Sequence, residues 1–331
     1  MNIPDGFPDG FPDGSSDVDA TGTTDATGGA VAADDSGSLP GPLVGPAWLA
    51  TRLAAGGPVV LDASVGAHRA AARRIPGARR FDIDGVMSDA TVPLPHTMPG
   101  AHRFTEEMRA LGVDGTDTVV VYDAAGVYSS ARAWWMLRAM GFDRVAVLDG
   151  GLPAWTAAGL PVDEAEEGIA PGGAGRTGDF TARPREGMLV GSGAVAAALA
   201  DPGSAVLDAR SRERFAGTVA EPRPGLRRGH MPGALNLPFG EIQRDGRMLP
   251  APELRAVFGA LLGEREQEQE REQGQVRKRE QERLVVSCGS GVTACVLALG
   301  AELAGYTEVS VYDGSWSEWG RPSELPVVTG P

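Results

Sequence analysis

The chain has 331 residues, room for about two domains of ordinary size, and 42% of them are hydrophobic, enough to build real cores. Its net charge is −14, but residues 1–39 hold eight Asp and no Lys, Arg or Glu, so the remainder carries only about −6. That balance gives no reason to expect nucleic acid as a partner, because nucleic-acid binding calls for a basic face.

Residues 1–40 begin with the turn-forming repeat PDGFPDGFPDG and continue in Gly, Ala, Thr and Asp, so we expect a disordered acidic tail. The N-terminus lacks the basic and apolar regions of a secretory signal, and no run of 18 apolar residues predicts a membrane span. A cytoplasmic, reducing location is the simplest interpretation of a chain with two cysteines.

From residue 41 onward, short apolar runs alternate with helical patterns. The predicted strands are 58–64, 117–124, 144–151, 204–210, 283–288 and 308–314. The sequences SSARAWWMLRAMGF and TACVLALGAELAGY predict helices after the second and the fifth of these strands. Nearly continuous Val, Leu and Ile runs separated by helices are typical of buried strands in a mostly parallel sheet, so the predicted fold class is α/β.

The same motifs occur twice, in the same order, which indicates an internal duplication. The triplet Leu-Asp-Ala occurs at 61–63 and 207–209, IPGARRFDI (75–83) corresponds to MPGALNLPF (231–239), and Asp-Gly-Gly at 149–151 corresponds to Asp-Gly-Ser at 313–315. We therefore expect two similar domains, 41–163 and 189–331, joined by a Gly-, Pro- and acid-rich linker over 164–188.

A charged segment, EREQEQEREQGQVRKREQER at 264–283, interrupts the second domain. Glu, Gln and Arg are good helix formers, so either a solvated helical extension or a mobile loop fits this composition. A role in partner binding is a further alternative.

Cys288 lies at the end of a predicted strand, before a Gly-rich turn and a helix. Unpaired N–H groups and the helix N-terminus stabilise a thiolate or an anion attached to its sulfur, and glycines let the turn curl tightly. A buried structural cysteine is the alternative. Cys295 lies in the helical pattern among apolar residues and is predicted to pack in the core, and the spacing of seven is not that of a CxxC pair.

The duplicated chain, with GHMPGALNLPF, CGSGVTA and VYDGSWSEWG, resembles the two-domain rhodanese-type sulfurtransferases over about residues 43–325. The loop CGSGVTA is similar to that of 3-mercaptopyruvate sulfurtransferases in particular. The resemblance implies two tandem rhodanese-like domains of which only the second is catalytic. The first agrees, because Asp123 follows its matching strand where a cysteine would be needed.

The resemblance implies a double displacement in which Cys288 takes sulfur from a donor as a persulfide. It then passes this sulfur to a thiol such as thioredoxin, or to cyanide, without a metal or an organic cofactor. The persulfide would rest against the N–H groups of the loop that follows, contributed by Gly289, Ser290, Gly291, Val292 and Thr293. No membrane partner is implied.

The donor is indicated by the loop. Thiosulfate-using members resemble Cys-Arg-Lys-Gly-Val-Thr, whereas Gly289 and Ser290 make this loop neutral, which suits a keto acid whose departing enolate must be protonated. Arg214 and Arg223 match the substrate-binding arginines of the family and could hold a carboxylate.

A proton relay is also implied by the resemblance. His96 and Asp84, in the first domain, match the histidine and acidic residue of a Ser–His–Asp relay whose serine would be Ser290. The family usually has a histidine at the position of Arg74, and the second copy keeps it as His230, which we expect to be structural.

Three alternatives have different consequences. A phosphatase of the same fold needs Cys-x5-Arg, but Ala294 stands six residues after Cys288. A binding module without activity would not need the cysteine, the loop and the arginines. A thiosulfate sulfurtransferase is the nearest alternative.

Overall fold

A computed structural model describes residues 38–164, 176–273 and 283–331, with the backbone alone for 264–273. The predicted acidic tail over 1–40 lies almost wholly outside the described residues. So do parts of the predicted linker and of the predicted charged insertion.

The first half of the described chain forms a five-stranded sheet with helices on its faces. The strands of this half, five in the main sheet and two in a separate pair, are β1 (Leu43–Val44), β2 (Val59–Asp62), β3 (Arg73–Arg74), β4 (Arg79–Arg80), β5 (Val119–Tyr122), β6 (Val145–Leu148) and β7 (Asp163–Glu164). Its helices are α1 (Pro46–Ala54), α2 (Ala101–Ala110), α3 (Ser130–Ala139) and α4 (Gly151–Ala157). The sheet has the order β1-β6-β5-β2-β4 and is parallel throughout, while β3 and β7 pair separately.

The second half repeats this arrangement. Its strands are β8 (Leu189–Val190), β9 (Ser204–Asp208), β10 (Leu235–Asn236), β11 (Gln243–Arg244), β12 (Arg247–Met248), β13 (Arg283–Ser287) and β14 (Val309–Tyr312). Its helices are α5 (Ser192–Ala200), α6 (Arg212–Ala216), α7 (Ala251–Gln273), α8 (Ala294–Ala304) and α9 (Ser315–Trp319). The sheet has the order β8-β14-β13-β9-β10 and is also parallel, while β11 and β12 form an antiparallel hairpin.

The two strand orders coincide when the halves are superposed element by element, so the predicted α/β class and the internal duplication are confirmed. The register makes the match residue-specific: β2 places Asp62 beside Tyr122, and β9 places Asp208 beside Ser287. Asp123 and Cys288 therefore occupy equivalent positions, each directly after the central strand of its sheet.

Helices α3 and α8 join the two halves. Both are buried along nearly their whole length, because each packs on its own sheet and against the other helix. The apolar contacts run through both sheets as one continuous core, and Arg138 of α3 pairs with Glu302 of α8. Since the loops before these helices are those of Asp123 and Cys288, this packing brings both loops to the boundary between the halves.

The sequence predicted the central strands with ends that were too long, because polar residues such as Asp123 turn into the loops. It did not predict the two-residue edge strands or the β11–β12 hairpin, whose local patterns are too short to be distinctive. Helix α7 continues to Gln273, into the predicted insertion. Among the described residues, no helix combines the length and the apolar character needed to cross a membrane.

We expect Gly151→Ala to destabilise the fold strongly. Gly151 has a φ of 53°, and a Cβ there would lie 2.3 Å from the carbonyl oxygen of Asp123 and 2.4 Å from that of Gly126. The matched control is Gly159→Ala, with a φ of 67° and no atom within 4 Å of the added carbon. The control should cost about 1 kcal/mol for the left-handed backbone, and Gly151→Ala at least about 2 kcal/mol more. Equal losses in urea unfolding would contradict the close approach.

Candidate active site

Cys288 directly follows β13 and is only 2% exposed. Its carbonyl oxygen accepts the N–H of Trp316 at 2.9 Å. The carbonyl oxygen of Gly289 accepts the N–H of Ser317 at 2.8 Å and its hydroxyl at 2.7 Å. Because a trans peptide points its N–H opposite to its C=O, the N–H groups of Gly289 and Ser290 face away from α9.

The turn that begins at Cys288 presents backbone N–H groups to which an anion could bind, and we call it the cradle. Within the described part of the chain, the N–H groups of residues 289–293 donate to no protein acceptor. Gly291 turns the chain with a φ of 78°, and a Cβ there would lie 2.9 Å from the carbonyl oxygen of Asp313. Val292 is buried and Thr293 half-buried at the start of α8, so the turn lies at a helix N-terminus that favours negative charge.

The equivalent turn in the first half already holds an anion. One oxygen of the buried Asp123 carboxylate accepts the N–H of Ala125 at 2.9 Å. The other accepts those of Tyr128 and Ser130 at 2.9 and 2.8 Å. Burial raises the pKa of Asp123, and these three bonds act in the opposite direction by stabilising its charged form. The turn that follows the central strand therefore binds a carboxylate of its own chain in the first half, whereas in the second half it follows the cysteine.

Ser315 supports the cysteine from behind. Its hydroxyl oxygen accepts the N–H of Cys288 at 3.2 Å and donates to the carbonyl of Tyr312 at 2.8 Å. Ser315 has a φ of 48°, which is uncommon outside glycine, and its counterpart in the first half is Gly151. The half with Cys288 thus has a serine where the other half has a glycine. This difference is visible in the sequence, but the sequence analysis did not connect it with support of the cysteine.

Two guanidinium groups lie over the turn. A Cβ on Gly289 would be 3.0 Å from Nη2 of Arg214 and 3.9 Å from Nη1 of Arg223, so both arginines reach the residue that follows Cys288. Burial and then the neighbouring Arg214 lower the pKa of Arg223, while the Cys288 thiolate acts in the opposite direction. An anion bound here would offset the cost of bringing two cations together away from water.

A chain of buried charges holds Arg214 in place. Its Nη2 donates to Glu221 at 2.7 Å, and Glu221 also accepts from Arg210 at 2.8 Å. Arg210 is bound in turn by Asp208 at 2.6 Å, at the end of β9. Glu221, Arg210 and Asp208 are nearly or wholly buried, so each charge is paired. Sequence reasoning missed Glu221, which looks like any acidic loop residue.

The predicted relay residues meet across the boundary between the halves. Nδ1 of His96 lies 2.9 Å from Oγ of Ser290, and Nε2 lies 3.1 Å from Oδ1 of Asp84. Burial alone would raise the pKa of Asp84, but hydrogen bonds from His96 and from the Gly66 N–H leave it below its usual value. A charged Asp84 can only accept, so Nε2 carries the hydrogen of that bond, and Nδ1 lies within hydrogen-bond distance of the Ser290 hydroxyl.

The other predicted residues are placed as follows. Cys295 is fully buried, donates its thiol to the carbonyl of Gly291 at 3.3 Å, and has a pKa raised by burial to about 12. It therefore remains a packed thiol at neutral pH. His230 stacks on Phe215 with 3.7 Å between ring centroids and binds its carbonyl, which supports a structural role. Arg74 lies in β3, outside the main sheet.

Tyr128 enters the site from the first half and was not predicted. Its ring lies 5.6 Å from that of Phe239, edge to face, and its phenol acts on the pKa of Arg223. Throughout the described ranges, no three His, Cys, Asp or Glu side chains are grouped so that they could hold a metal ion.

The comparisons with known proteins agree with this geometry. The model of the rhodanese-like domain matches residues 45–158 and 193–321. The 3-mercaptopyruvate sulfurtransferase of Escherichia coli K12 is 39% identical over 253 residues, covering 76% of this chain and 82% of that protein. The thiosulfate/3-mercaptopyruvate sulfurtransferase 1 of Arabidopsis thaliana, named as mitochondrial, is 38% identical over 269 residues, covering 76% and 67%. The crystal structure of SseA, a 3-mercaptopyruvate sulfotransferase from Escherichia coli, matches with a TM-score of 0.68 at 35% identity, covering 84% of this chain and all but 1% of that one.

We expect Asp84→Asn to lower stability in a pH-dependent way. The pKa of Asp84 is lower in the folded state than its usual value. The charged carboxylate therefore stabilises the fold at pH values above the ordinary carboxylate pKa, and this stabilisation is lost as the pH falls through the pKa of the folded state. Because the side chain is 21% exposed, the effect should be at most about 1 kcal/mol. Urea unfolding of both proteins at decreasing pH should show a difference that is present at neutral pH and disappears once the pH has fallen through the folded pKa of Asp84. A difference that grows on acidification would contradict the assignment.

Proposed function

The chain belongs to the rhodanese family, and we propose that it transfers sulfur from 3-mercaptopyruvate to a thiol or cyanide acceptor through a persulfide on Cys288. One observation carries the proposal. Within the part of the chain that the structure describes, the N–H groups of the turn after Cys288 have no protein acceptor, and the guanidinium groups of Arg214 and Arg223 lie beside this turn. A nucleophilic sulfur, a cradle for its anion and two cations for a carboxylate thus lie together.

In the first step the Cys288 thiolate attacks the sulfur of the donor. A sulfur–sulfur bond forms and the carbon–sulfur bond of the donor breaks, and the electron pair of that bond leaves on carbon as the enolate of pyruvate. The Cys288 persulfide, partly anionic, rests against the N–H groups of residues 289–293. These donors are oriented before the reaction, because α9 binds the carbonyls of the turn from behind.

The departing enolate needs a proton, and Ser290 is placed to give one. Its hydroxyl is hydrogen-bonded to Nδ1 of His96, and the opposite nitrogen of the ring is bound to Asp84. Ser290 would donate its proton to the enolate carbon and recover one from Nδ1 of His96, which must first take that proton from solvent, while Asp84 would stabilise the doubly protonated ring. Proton transfer then completes pyruvate.

The donor carboxylate is the group that Arg214 and Arg223 would bind. A planar guanidinium matches a carboxylate with two parallel hydrogen bonds. The absence of a side chain at Gly289 leaves room for these arginines beside the sulfur, because even a methyl group there would press on Arg214.

In the second step an acceptor thiolate or cyanide attacks the outer sulfur of the persulfide, which returns Cys288 as a thiolate. Reduced thioredoxin is the protein acceptor we favour, and no metal or organic cofactor is needed for either step. A cytoplasmic location stays a prediction.

Thiosulfate is the second candidate donor. Two guanidinium groups also suit a divalent anion, and the Arabidopsis relative is named for both donors. The neutral pair Gly289 and Ser290 and the relay on Ser290 favour the keto acid, because thiosulfate leaves as sulfite and has no carbon to protonate.

The purified protein should use 3-mercaptopyruvate with a kcat/KM at least about 100-fold higher than thiosulfate, which corresponds to about 2.7 kcal/mol of differential binding. After addition of the donor, mass spectrometry should find that Cys288 has gained one sulfur atom, a mass increase of about 32 Da. Cys288→Ser should remove both transfer and the added mass. A higher kcat/KM with thiosulfate would replace the donor assignment, and transfer by Cys288→Ser would disprove the nucleophile.

Arg214→Ala and Arg223→Ala should each raise KM for 3-mercaptopyruvate by about 10- to 100-fold, because each removes a charge-assisted bond worth about 1.5–3 kcal/mol. The matched control is Arg212→Ala on the same short helix as Arg214, because Arg212 is 60% exposed and pairs with Glu241 at the surface. Its KM should stay within about twofold of the unchanged protein, as expected for an exposed ion pair. Similar KM values for all three variants would refute carboxylate binding.

A further inference from the structure

Arg132 is a fully buried guanidinium that crosses the boundary between the halves. It lies in α3, and its Nη2 donates to Oδ1 of Asp313 at 2.6 Å and to the carbonyl oxygen of His96 at 2.8 Å. The other oxygen of Asp313 accepts the N–H of Met98 at 2.9 Å. We call these contacts the Arg132–Asp313 latch. Burial alone would lower the pKa of Arg132, but Asp313 and the neighbouring Cys295 raise it above its usual value.

The latch grips the turn that carries the relay histidine. His96 has a φ of 59°, a left-handed conformation that a residue with a side chain adopts only where contacts hold it. The latch binds the carbonyl of His96 and the N–H of Met98, on either side of Thr97. These two contacts hold the two peptide groups on either side of Thr97. They therefore fix the direction of the imidazole and the 2.9 Å distance between its Nδ1 and Oγ of Ser290.

A second latch of the same kind occurs in the other half, without a histidine. There Oδ1 of Asp149 accepts the N–H of Met248 at 3.0 Å, and Arg247 lies 3.5 Å from Oδ2. The turn residue is Gly246, with a φ of 71°, and its carbonyl oxygen accepts the N–H of Val127 at 2.9 Å. The latch of Asp149 thus also joins the halves, although its Arg247 is partly exposed where Arg132 is buried, and it orients no relay group.

We propose that Arg132 and Asp313 are positioning residues for sulfur transfer, which hold the His96 turn so that its imidazole meets Ser290. They touch neither donor nor acceptor and act through His96. The inference rests on the proposed function for its kinetic consequence, but the hydrogen bonding of His96 is independent of which donor is used.

The kinetic experiment compares Asp313→Asn with Asp149→Asn in the full chain, using 3-mercaptopyruvate and a thiol acceptor. Each change removes one charge from one latch and keeps the shape of the side chain. For Asp313→Asn, kcat should fall at least about 10-fold with KM within about threefold, because orientation of the relay and not donor binding is affected. For Asp149→Asn, kcat should stay within about twofold. Equal losses of kcat would overturn the proposal, since both latches would then be only structural.

The spectroscopic experiment follows the ring nitrogens of His96 by NMR with ¹⁵N-labelled histidine, the signals being assigned with His96→Gln. The unchanged protein and Asp149→Asn should show the proton on Nε2 that faces Asp84, and Asp313→Asn should change this signal. An unchanged His96 signal in Asp313→Asn overturns the proposal whatever happens to kcat. If the unchanged protein does not transfer sulfur from 3-mercaptopyruvate, the proposed function fails, and the NMR comparison alone decides the latch.

Discussion

The orientation of two peptide groups, those after Cys288 and Gly289, is the constraint on which the rest of the site depends. Helix α9 binds both carbonyl oxygens, through Trp316 and Ser317, so the N–H groups on the opposite side of these peptides are turned away from α9. A turn whose carbonyls were free could rotate and donate its N–H groups elsewhere. The short sequence after Asp313 therefore matters to the chemistry although it contributes no reacting atom.

Duplication shows what this cradle can bind, because the two halves differ chiefly in what fills it. In the first half Asp123 supplies a carboxylate that accepts three N–H groups of its own turn, which leaves no place for a substrate anion. In the second half, no acceptor among the described residues binds the N–H groups of residues 289–293. A carboxylate and a persulfide make the same demand on the backbone, for several donors converging on one anionic group.

The sequence was informative where chemistry and local pattern coincide. Apolar runs identified the central strands, and the strand end and Gly-rich turn marked Cys288 as a candidate. The roles of Ser290, Arg214 and Arg223 came from the resemblance, as did those of His96 and Asp84, which the structure brings together with Ser290.

What remained hidden depends on contacts between distant parts of the chain. Arg132 lies in a sequence typical of a buried helix, and Asp313 and Ser315 lie in a motif that indicated the duplication and the family but no role for either residue. Their partners are separated from them in sequence by between 27 and 215 residues. Neither hydrophobic periodicity nor a short motif predicts these contacts between distant residues, because they form only when α3 packs on α8.

Each half of the protein contributes a turn that packs against the turn after the central strand of the other half. The segment between β4 and α2 carries His96 across to the turn of Cys288, and the corresponding segment between β10 and α7 carries Gly246 across to the turn of Asp123. Each half thus closes the open end of the other sheet. The catalytic half by itself would hold the sulfur and the arginines but would lack the imidazole, Asp84 and Tyr128. Under the proposed function, proton transfer beside Cys288 therefore needs residues of both halves.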